Sequence, residues 1–175
     1  CNLSVARRVL PVTDRTGRND RRSQAGRSFR RPEVAAVKVL VTGATGFLGR
    51  SIVRALASRG HEVLALARRA ACLPKNPPSQ VTYVRGDLRQ KGEWCDDIRT
   101  VDVVVHAAAA TGGGFADQFA STVVATENLL DCLDWQSLRR FVLISSFSVY
   151  DYAGRRARSA IDEAQPLEPD PSRRD

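Results

Sequence analysis

Short apolar runs alternate with amphipathic segments from residue 36 onward. This alternation predicts a parallel β-sheet covered by helices, which is an α/β architecture. Strands are expected at short, nearly continuous apolar runs, and helices where apolar residues recur every three to four positions. The predicted strands are residues 37–41, 62–67, 81–85, 101–106 and 140–145, the predicted helices are 48–58, 91–98 and 115–133, and 72–80 is a proline-containing loop.

The order of these elements predicts a doubly wound parallel sheet. Right-handed crossovers give the strand order 3-2-1-4-5, with a ligand crevice between strands one and four at their carboxyl ends. Residues 151–175 are polar and contain three prolines, without a pattern for a sixth strand. We therefore expect a domain over 36–175 whose sheet is incomplete at the carboxyl end. Residues 1–35 are rich in Arg and poor in large apolar side chains, so we expect a disordered extension there.

The first predicted strand runs directly into TGATGFLG, residues 42–49, and then into a helix. Gly43 would allow a sharp turn, Gly46 would leave no side chain between backbone and ligand, and Gly49 would let the helix lie close to the strand. The N–H groups of the first helical turn would face an anion, and a pyrophosphate is the expected occupant. The second strand follows after about 20 residues, so the motif lies in the βαβ unit that dinucleotide binding requires. An ordinary turn without a ligand is the alternative.

The net charge of +8 is unevenly distributed along the chain. Residues 1–35 carry nine Arg against three acidic residues, whereas 36–175 carry 18 basic and 16 acidic residues. A nucleic-acid-binding protein more often carries its positive charge on the folded surface, so nucleic acid is not an expected partner. No apolar stretch reaches the roughly 18 residues of a membrane span. These features indicate a soluble, cytoplasmic protein without a membrane partner.

The four cysteines are Cys1, Cys72, Cys95 and Cys132, and they form no C-x-x-C pair. Their spacing indicates neither a metal site nor a disulfide framework. We expect free thiols in a reducing compartment.

Five stretches, in order, resemble the extended short-chain dehydrogenase/reductases, the NAD(P)-dependent epimerase/dehydratase family. They are TGATGFLG, GHEVLALARR, GDL, VVVHAAA and FVLISSFSVY, and the similarity runs from residue 37 to about 171. The resemblance implies a Rossmann-like NAD(P)-binding domain and hydride transfer on a nucleotide sugar or a related carbonyl or hydroxyl substrate. It allows a homodimer of the full-length protein. The cofactor-binding residues that it implies are Gly43, Thr45, Gly46, Phe47, Leu48, Gly49, Asp87, Leu88, Ala107, Ala108 and Ala109.

The second strand ends at Ala67 and is followed by Arg68 and Arg69. An NAD-preferring site would place Asp or Glu there to accept hydrogen bonds from the ribose hydroxyls. A guanidinium pairs instead with a phosphate, so both arginines are candidate cofactor-binding residues and predict NADP, with NAD as the alternative. The other interpretation is that both are solvated surface charges.

Two further polar residues have more than one interpretation. In the resemblance, Asp87 accepts a hydrogen bond from the adenine amino group, although an Asp at this place is also a good helix N-cap. His106 lies at the end of a predicted strand, and we expect it to be buried and structural.

The SSxxVY pattern of the family places the catalytic serine at Ser146, with Ser145 or Ser148 as alternatives. A serine that only caps the strand end is the non-catalytic interpretation. The family's Tyr-x-x-x-Lys acid/base pair does not occur in the sequence. Tyr152 has Arg156 four residues later, but we expect a loop there.

A second departure is Thr122, where relatives commonly have Asn. We expect that the chain stops before the Tyr-x-x-x-Lys helix and the substrate lobe, and that it is inactive alone. A non-catalytic NADP-binding sensor or scaffold is the alternative function.

Overall fold

The computed structural model describes residues 35–69, 72–110, 112–146, 149–151 and 162–169. The chain divides into two units, Cys1–Val34 and Ala35–Asp175. The first unit lies outside the described residues, and so does the expectation of disorder for it. Ser148, Tyr152 and Arg156 also lie outside them.

Five parallel strands form one sheet in the order β3-β2-β1-β4-β5. This confirms the predicted α/β class and the strand order 3-2-1-4-5. The strands are β1 Lys38–Thr42, β2 Glu62–Ala67, β3 Val81–Arg85, β4 Val103–His106 and β5 Arg140–Leu143. The helices are α1 Phe47–Ala57, α2 Trp94–Asp97, α3 Phe115–Phe119 and α4 Ala125–Cys132, with a π-helical segment, Ala120–Val124, between α3 and α4.

Side chains of β1 alternate between two hydrophobic cores, because successive residues of a strand point to opposite faces. Val39 and Val41 belong to a core that includes Val53 of α1, whereas Leu40 belongs to a core that includes Leu129 of α4. The sheet is therefore covered on both faces, which is the doubly wound arrangement.

The predicted bounds of β2 and β3 are confirmed, and those of several other elements are wrong. The helix predicted over 91–98 is only Trp94–Asp97, and the fourth strand begins at Val103 rather than residue 101. The helix predicted over 115–133 is continuous but contains the π-helical segment. β5 ends at Leu143 because its neighbour β4 ends at His106, so residues 144 and 145 have no strand beside them.

The expectation of free thiols is wrong for two of the four cysteines. Cys95 at α2 and Cys132 at the end of α4 form a disulfide, with their Cα atoms 5.1 Å apart. The two residues are 37 positions apart and meet because both helices pack on the same face of the sheet. Cys72 is free and exposed.

Two features of the described residues bear on other classes of function. None of the helices found there is both long and apolar enough to cross a membrane. No group of His, Cys, Asp and Glu side chains in the same part of the chain could hold a metal ion.

Candidate dinucleotide-binding site

The turn between β1 and α1 brings backbone very close to backbone. Gly43 has φ +64°, and a Cβ atom there would lie 2.7 Å from the carbonyl oxygen of Ala107. A Cβ atom at Gly49 would lie 2.0 Å from the carbonyl oxygen of Gly43. The predicted roles of these two glycines, a sharp turn and close helix packing, are therefore confirmed.

The first turn of α1 is open toward the sheet edge. Gly46 is the N-cap residue, its N–H donates to the Gly43 carbonyl over 2.9 Å, and it has no side chain to cap the helix. The first intrahelical bond runs from Arg50 N–H to the Gly46 carbonyl over 3.1 Å. The N–H groups before Arg50 therefore have no intrahelical acceptor, which is the arrangement that favours an anion.

A cavity of about 600 Å³ lies at the carboxyl ends of the strands, beside this turn. It brings together most of the predicted cofactor-binding residues. Those in its lining are Gly43, Thr45, Gly46, Arg68, Arg69, Asp87, Leu88, Ala107, Ala108 and Ala109.

Four predicted site residues do not line the cavity. Phe47 is 93% exposed, Leu48 is also exposed, and Gly49 is buried against the turn. These three residues shape the helix start, and their side chains do not contribute to the cavity wall. Ser146 is exposed beyond the end of β5, and its carbonyl accepts a hydrogen bond from Val149 N–H over 3.3 Å.

Asp87 makes a dense set of hydrogen bonds with Arg89. The Arg89 Nε donates to both carboxylate oxygens over 3.1 and 3.0 Å, and its Nη2 donates to Oδ2 over 2.6 Å. The Arg89 backbone N–H donates to Oδ1 over 3.0 Å. These bonds, with the charges of Arg89 and Arg68, lower the pKa of Asp87, and partial burial opposes them. The N-cap interpretation of Asp87 is wrong, because α2 begins at Trp94.

The loop after β3 is held from two sides. A Cβ atom at Gly86 would lie 2.6 Å from the Trp94 ring, and the Trp94 Nε1–H donates to the Gln90 carbonyl over 3.0 Å. From α4, the Asn128 Nδ2–H donates to the Leu88 carbonyl over 2.9 Å. The loop that carries Asp87 is thus fixed by α2 and α4.

A buried chain of hydrogen bonds orders the end of β4. The Thr42 Oγ1 lies 2.7 Å from His106 Nδ1 and accepts from Ala108 N–H over 3.2 Å. The His106 Nε2 lies 3.0 Å from Thr126 Oγ1, which donates to the Thr122 carbonyl over 2.5 Å. Because Thr126 already donates, it accepts from Nε2–H. Burial lowers the pKa of His106 and so favours the neutral ring, whose Nδ1 accepts from Thr42. His106 is buried and structural, as predicted.

Thr122 lies in the π-helical segment beside the loop that follows β4. Its Oγ1 accepts a hydrogen bond from Ala110 N–H over 3.3 Å. A threonine at this position therefore still orders the backbone of the loop.

Several cavity residues were not identified from the sequence. They are Leu66, Ala67, Cys72, Gly86, Arg89, Ala110, Gly112, Gly113, Asp117, Ser121 and Ala125. The glycine run after β4 was a usable signal, since a loop that closes over a ligand needs small residues. Arg89, two positions after Asp87, was a second signal. The spacing of Asp117, Ser121 and Ala125 is that of one helix face, but it becomes informative only once the helix is placed over the cavity.

The model of the NAD dependent epimerase/dehydratase family matches residues 39–173. A 2-alkyl-3-oxoalkanoate reductase from Stenotrophomonas maltophilia is 34% identical over 115 residues, which cover 65% of this chain and 34% of that protein. A 3 beta-hydroxysteroid dehydrogenase/Delta 5-->4-isomerase from Mycobacterium tuberculosis is 35% identical over 121 residues, covering 64% of this chain and 32% of that protein. This chain thus spans about a third of the length of these curated relatives.

Two solved structures share both fold and sequence with the chain. MoeE5 in complex with UDP-glucose and NAD is 32% identical with a TM-score of 0.60, and the match covers 75% of this chain and 42% of that one. A short-chain dehydrogenase/reductase superfamily protein from Agrobacterium tumefaciens with bound NAD is also 32% identical with a TM-score of 0.60, covering 76% and 39%. Both of these proteins were solved with NAD bound. The chain belongs to the NAD-dependent epimerase/dehydratase family.

Proposed function

We propose that this chain is the NADP-binding portion of an enzyme that transfers hydride between the cofactor and a nucleotide sugar or a related carbonyl or hydroxyl substrate. The observation that carries the proposal is the cavity at the glycine turn, into which the ends of four strands converge. Residues 36–175 form the cofactor domain, and a further lobe binds the substrate.

The turn between β1 and α1 fits a dinucleotide because its glycines have no side chains that would fill the space beside the backbone. Gly43 and Gly49 exclude any side chain from the contact between β1, α1 and the Ala107 backbone. The uncapped N–H groups at the start of α1 then donate to the pyrophosphate, and the helix dipole favours its negative charge. When bound, the nicotinamide ring would supply the hydride acceptor or donor.

The preference for NADP rests on Arg68 and Arg69. Both line the cavity directly after β2, and neither side chain makes a hydrogen bond or ion pair with a described residue. No carboxylate stands there to accept hydrogen bonds from the ribose hydroxyls, whereas a 2′-phosphate would pair with a guanidinium.

Fluorescence titration of the full-length protein with NADPH and NADH tests the cofactor proposal. We expect tighter binding of NADPH, and the substitution Arg68→Asp should invert the preference because it replaces the cation by a ribose acceptor. Glu62→Gln, at the opposite end of β2, is the matched control and should leave both dissociation constants unchanged. Tighter binding of NADH by the unsubstituted protein would refute the proposal.

We assign the substrate contact to Ser146, whose hydroxyl would donate to the oxygen on the reacting carbon. Ser146→Ala should lower the rate of hydride transfer by about 100-fold and leave NADPH affinity unchanged, as for loss of one donor to a developing oxyanion. Ser145→Ala tests the alternative serine and should leave the rate of hydride transfer unchanged. Unchanged activity of Ser146→Ala would exclude this role.

The proposal includes inactivity of the 175-residue chain alone, because the sequence contains no Tyr-x-x-x-Lys pair to exchange a proton with the substrate. The same observation favours a second candidate function, a non-catalytic NADP-binding sensor or scaffold. Incubation of the full-length protein and cofactor with a panel of nucleotide sugars and ketones distinguishes them. A reductase oxidises NADPH, and an epimerase or dehydratase converts its substrate while regenerating the cofactor, whereas a sensor binds the cofactor without turnover.

A cytoplasmic location and a homodimer of the full-length protein complete the proposal. Cell fractionation and light scattering test them, and the thiol state of Cys95 and Cys132 in the cell adds a check on the compartment.

A further inference from the structure

Arg89 binds the Asp87 carboxylate, which is expected to accept a hydrogen bond from the adenine amino group. Three N–H groups of Arg89 bind the two oxygens of Asp87: the backbone N–H, Nη2–H, and Nε–H, which is shared between both oxygens. They use most of the roughly four lone-pair positions of an ionised carboxylate. An adenine amino group would therefore compete with Arg89 for Asp87.

Arg89 also lies near the place of a 2′-phosphate. β2 and β3 pair with Ala67 opposite Arg85, and Gly86 N–H donates to the Ala67 carbonyl over 3.1 Å. Because neighbouring strands lie about 4.8 Å apart, Arg68 and the loop of Asp87 leave the sheet side by side. The adenosine ribose is expected at the end of β2, so Arg68 and Arg89 flank the same position.

The side chains that line this end of the cavity carry more positive than negative charge, which favours an anion. Arg68, Arg69 and Arg89 line it together with only two carboxylates, Asp87 and Asp117. Arg68 and Arg69 make no ion pair with a described residue, and the Arg89 side chain is 44% exposed. The Nη1 of Arg89 makes no hydrogen bond within the described part of the chain, so it is available to a ligand.

We infer that Arg89 is a specificity-determining residue that exchanges Asp87 for the 2′-phosphate of NADP. When the phosphate is present, Arg89 moves to it and frees the Asp87 carboxylate for the adenine amino group. With NAD, nothing draws Arg89 away, and the carboxylate stays occupied. The same residue therefore favours one cofactor and disfavours the other. This inference rests on the proposed binding of NADP.

The Arg89→Ala variant distinguishes this exchange from a simple electrostatic attraction between Arg89 and the cofactor. We expect NADPH affinity to fall about 10-fold or more, the usual loss for a hydrogen bond to a charged group. NADH affinity should rise, by about 3- to 10-fold, because Asp87 is no longer blocked. Arg68→Ala should weaken NADPH without tightening NADH, since Arg68 makes no hydrogen bond to Asp87 in the described structure.

The matched control is Arg99→Ala. Arg99 is also exposed and pairs with a nearby aspartate, Asp96, over 3.3 Å, but it lies outside the cavity lining. Both dissociation constants should stay within about 2-fold of the unsubstituted protein. Arg89→Gln provides a second variant with a side chain of similar length, and thermal unfolding of each variant checks that the fold is retained.

The outcomes separate this inference from the proposed function. If the unsubstituted protein prefers NADPH and Arg89→Ala keeps the same NADPH to NADH ratio, the exchange is overturned while the proposed cofactor stands. If Arg89→Ala weakens both cofactors equally, Arg89 only orients Asp87, and the exchange is again overturned. If the unsubstituted protein binds neither cofactor, the proposed function itself fails.

Discussion

The two edge strands of the sheet differ in how well they are covered. In β3, Val81 is buried and Tyr83 and Val84 are half-buried against the two cores. In β5, Val142 and Leu143 are exposed, and so is the next residue, Ile144. The β3 side, where we propose that adenosine binds, is therefore covered within the described residues, whereas the β5 side, which is followed by Ser146, is exposed there. Under this proposal, the described residues position the cofactor, and the reaction depends on what covers β5.

The largest expected effect comes from adding a side chain to the glycine turn between β1 and α1. A Cβ atom at Gly49 would overlap the Gly43 carbonyl at 2.0 Å, so α1 must move away from β1. We expect Gly49→Ala to lower the free energy of unfolding by about 3 kcal/mol or more and to abolish NADPH binding. Chemical denaturation and titration measure both.

The control for this prediction is Gly114→Ala, since nothing lies within 4 Å of a Cβ atom at Gly114. It should change stability by about 1 kcal/mol or less, because Gly114 is only the N-cap of the short helix α3. Equal losses in the two variants would mean that the close approach of α1 to β1 does not exist in solution.

A matched pair of leucine substitutions compares burial in β2 with burial in β5. Leu64 of β2 is 6% exposed and Leu143 of β5 is 59% exposed. We expect Leu64→Ala to cost about 3 kcal/mol in the free energy of unfolding and Leu143→Ala less than about 0.5 kcal/mol. A cost at Leu143 that approaches the cost at Leu64 would show that β5 is covered in the full-length protein.

Buried hydrogen bonds connect β1 to α4 through His106, and their contribution to stability can be measured. Thr42→Val leaves His106 Nδ1 and the Ala108 N–H without their partner, both in a buried or half-buried place. We expect a loss of about 2 kcal/mol in the free energy of unfolding. Thr42→Ser should restore most of it because it keeps the hydroxyl.

Thr122→Val removes one exposed, 3.3 Å hydrogen bond to Ala110 and is the comparison for Thr42→Val. We expect it to cost about 0.5 kcal/mol. If both variants lose the same amount, burial does not distinguish the two contacts.

The smallest effect concerns pH. Burial lowers the pKa of His106, so the folded chain keeps the ring neutral. As pH falls below about 6.5, the ordinary pKa of histidine, the unfolded chain binds a proton that the folded chain does not. The free energy of unfolding should therefore decrease as pH falls from about 6.5 to the lowered pKa of the folded chain. Denaturation curves at several pH values measure it.

The control for this pH dependence is His106→Asn, compared with His61→Asn, because these are the two histidines of the chain. The decrease should disappear in His106→Asn and persist in His61→Asn. Persistence in His106→Asn would assign the pH dependence to another group.

The sequence predicted the sheet because β-strand and helix periodicities are local signals. The runs that became β2 and β3 had the predicted bounds, and the glycine spacing identified the turn at Gly43. The family resemblance then placed Asp87 and Ala107–109 at the cavity, although their contacts with a cofactor stay predictions. The role of Ser146 also stays a prediction, as do those of Phe47 and Leu48.

Features set by packing between distant segments could not be predicted. Cys95 and Cys132 meet only because α2 and α4 share one face of the sheet. The Arg89 contact with Asp87 depends on the conformation of the loop, since a surface Arg near an Asp is common and uninformative. The π-helical segment has no clear periodicity signal, because it changes the spacing by only one residue within a continuous helix.

The tight packing of Trp94 on Gly86 gives the molecule an optical probe of its own. The Trp94 indole is buried against Gly86, the residue before Asp87, whereas Trp135, the other tryptophan, is 57% exposed. In a Trp135→Phe variant, the emission spectrum would come from Trp94 alone. Binding of a nucleotide at the proposed site beside Asp87 could then be followed in real time without an added dye.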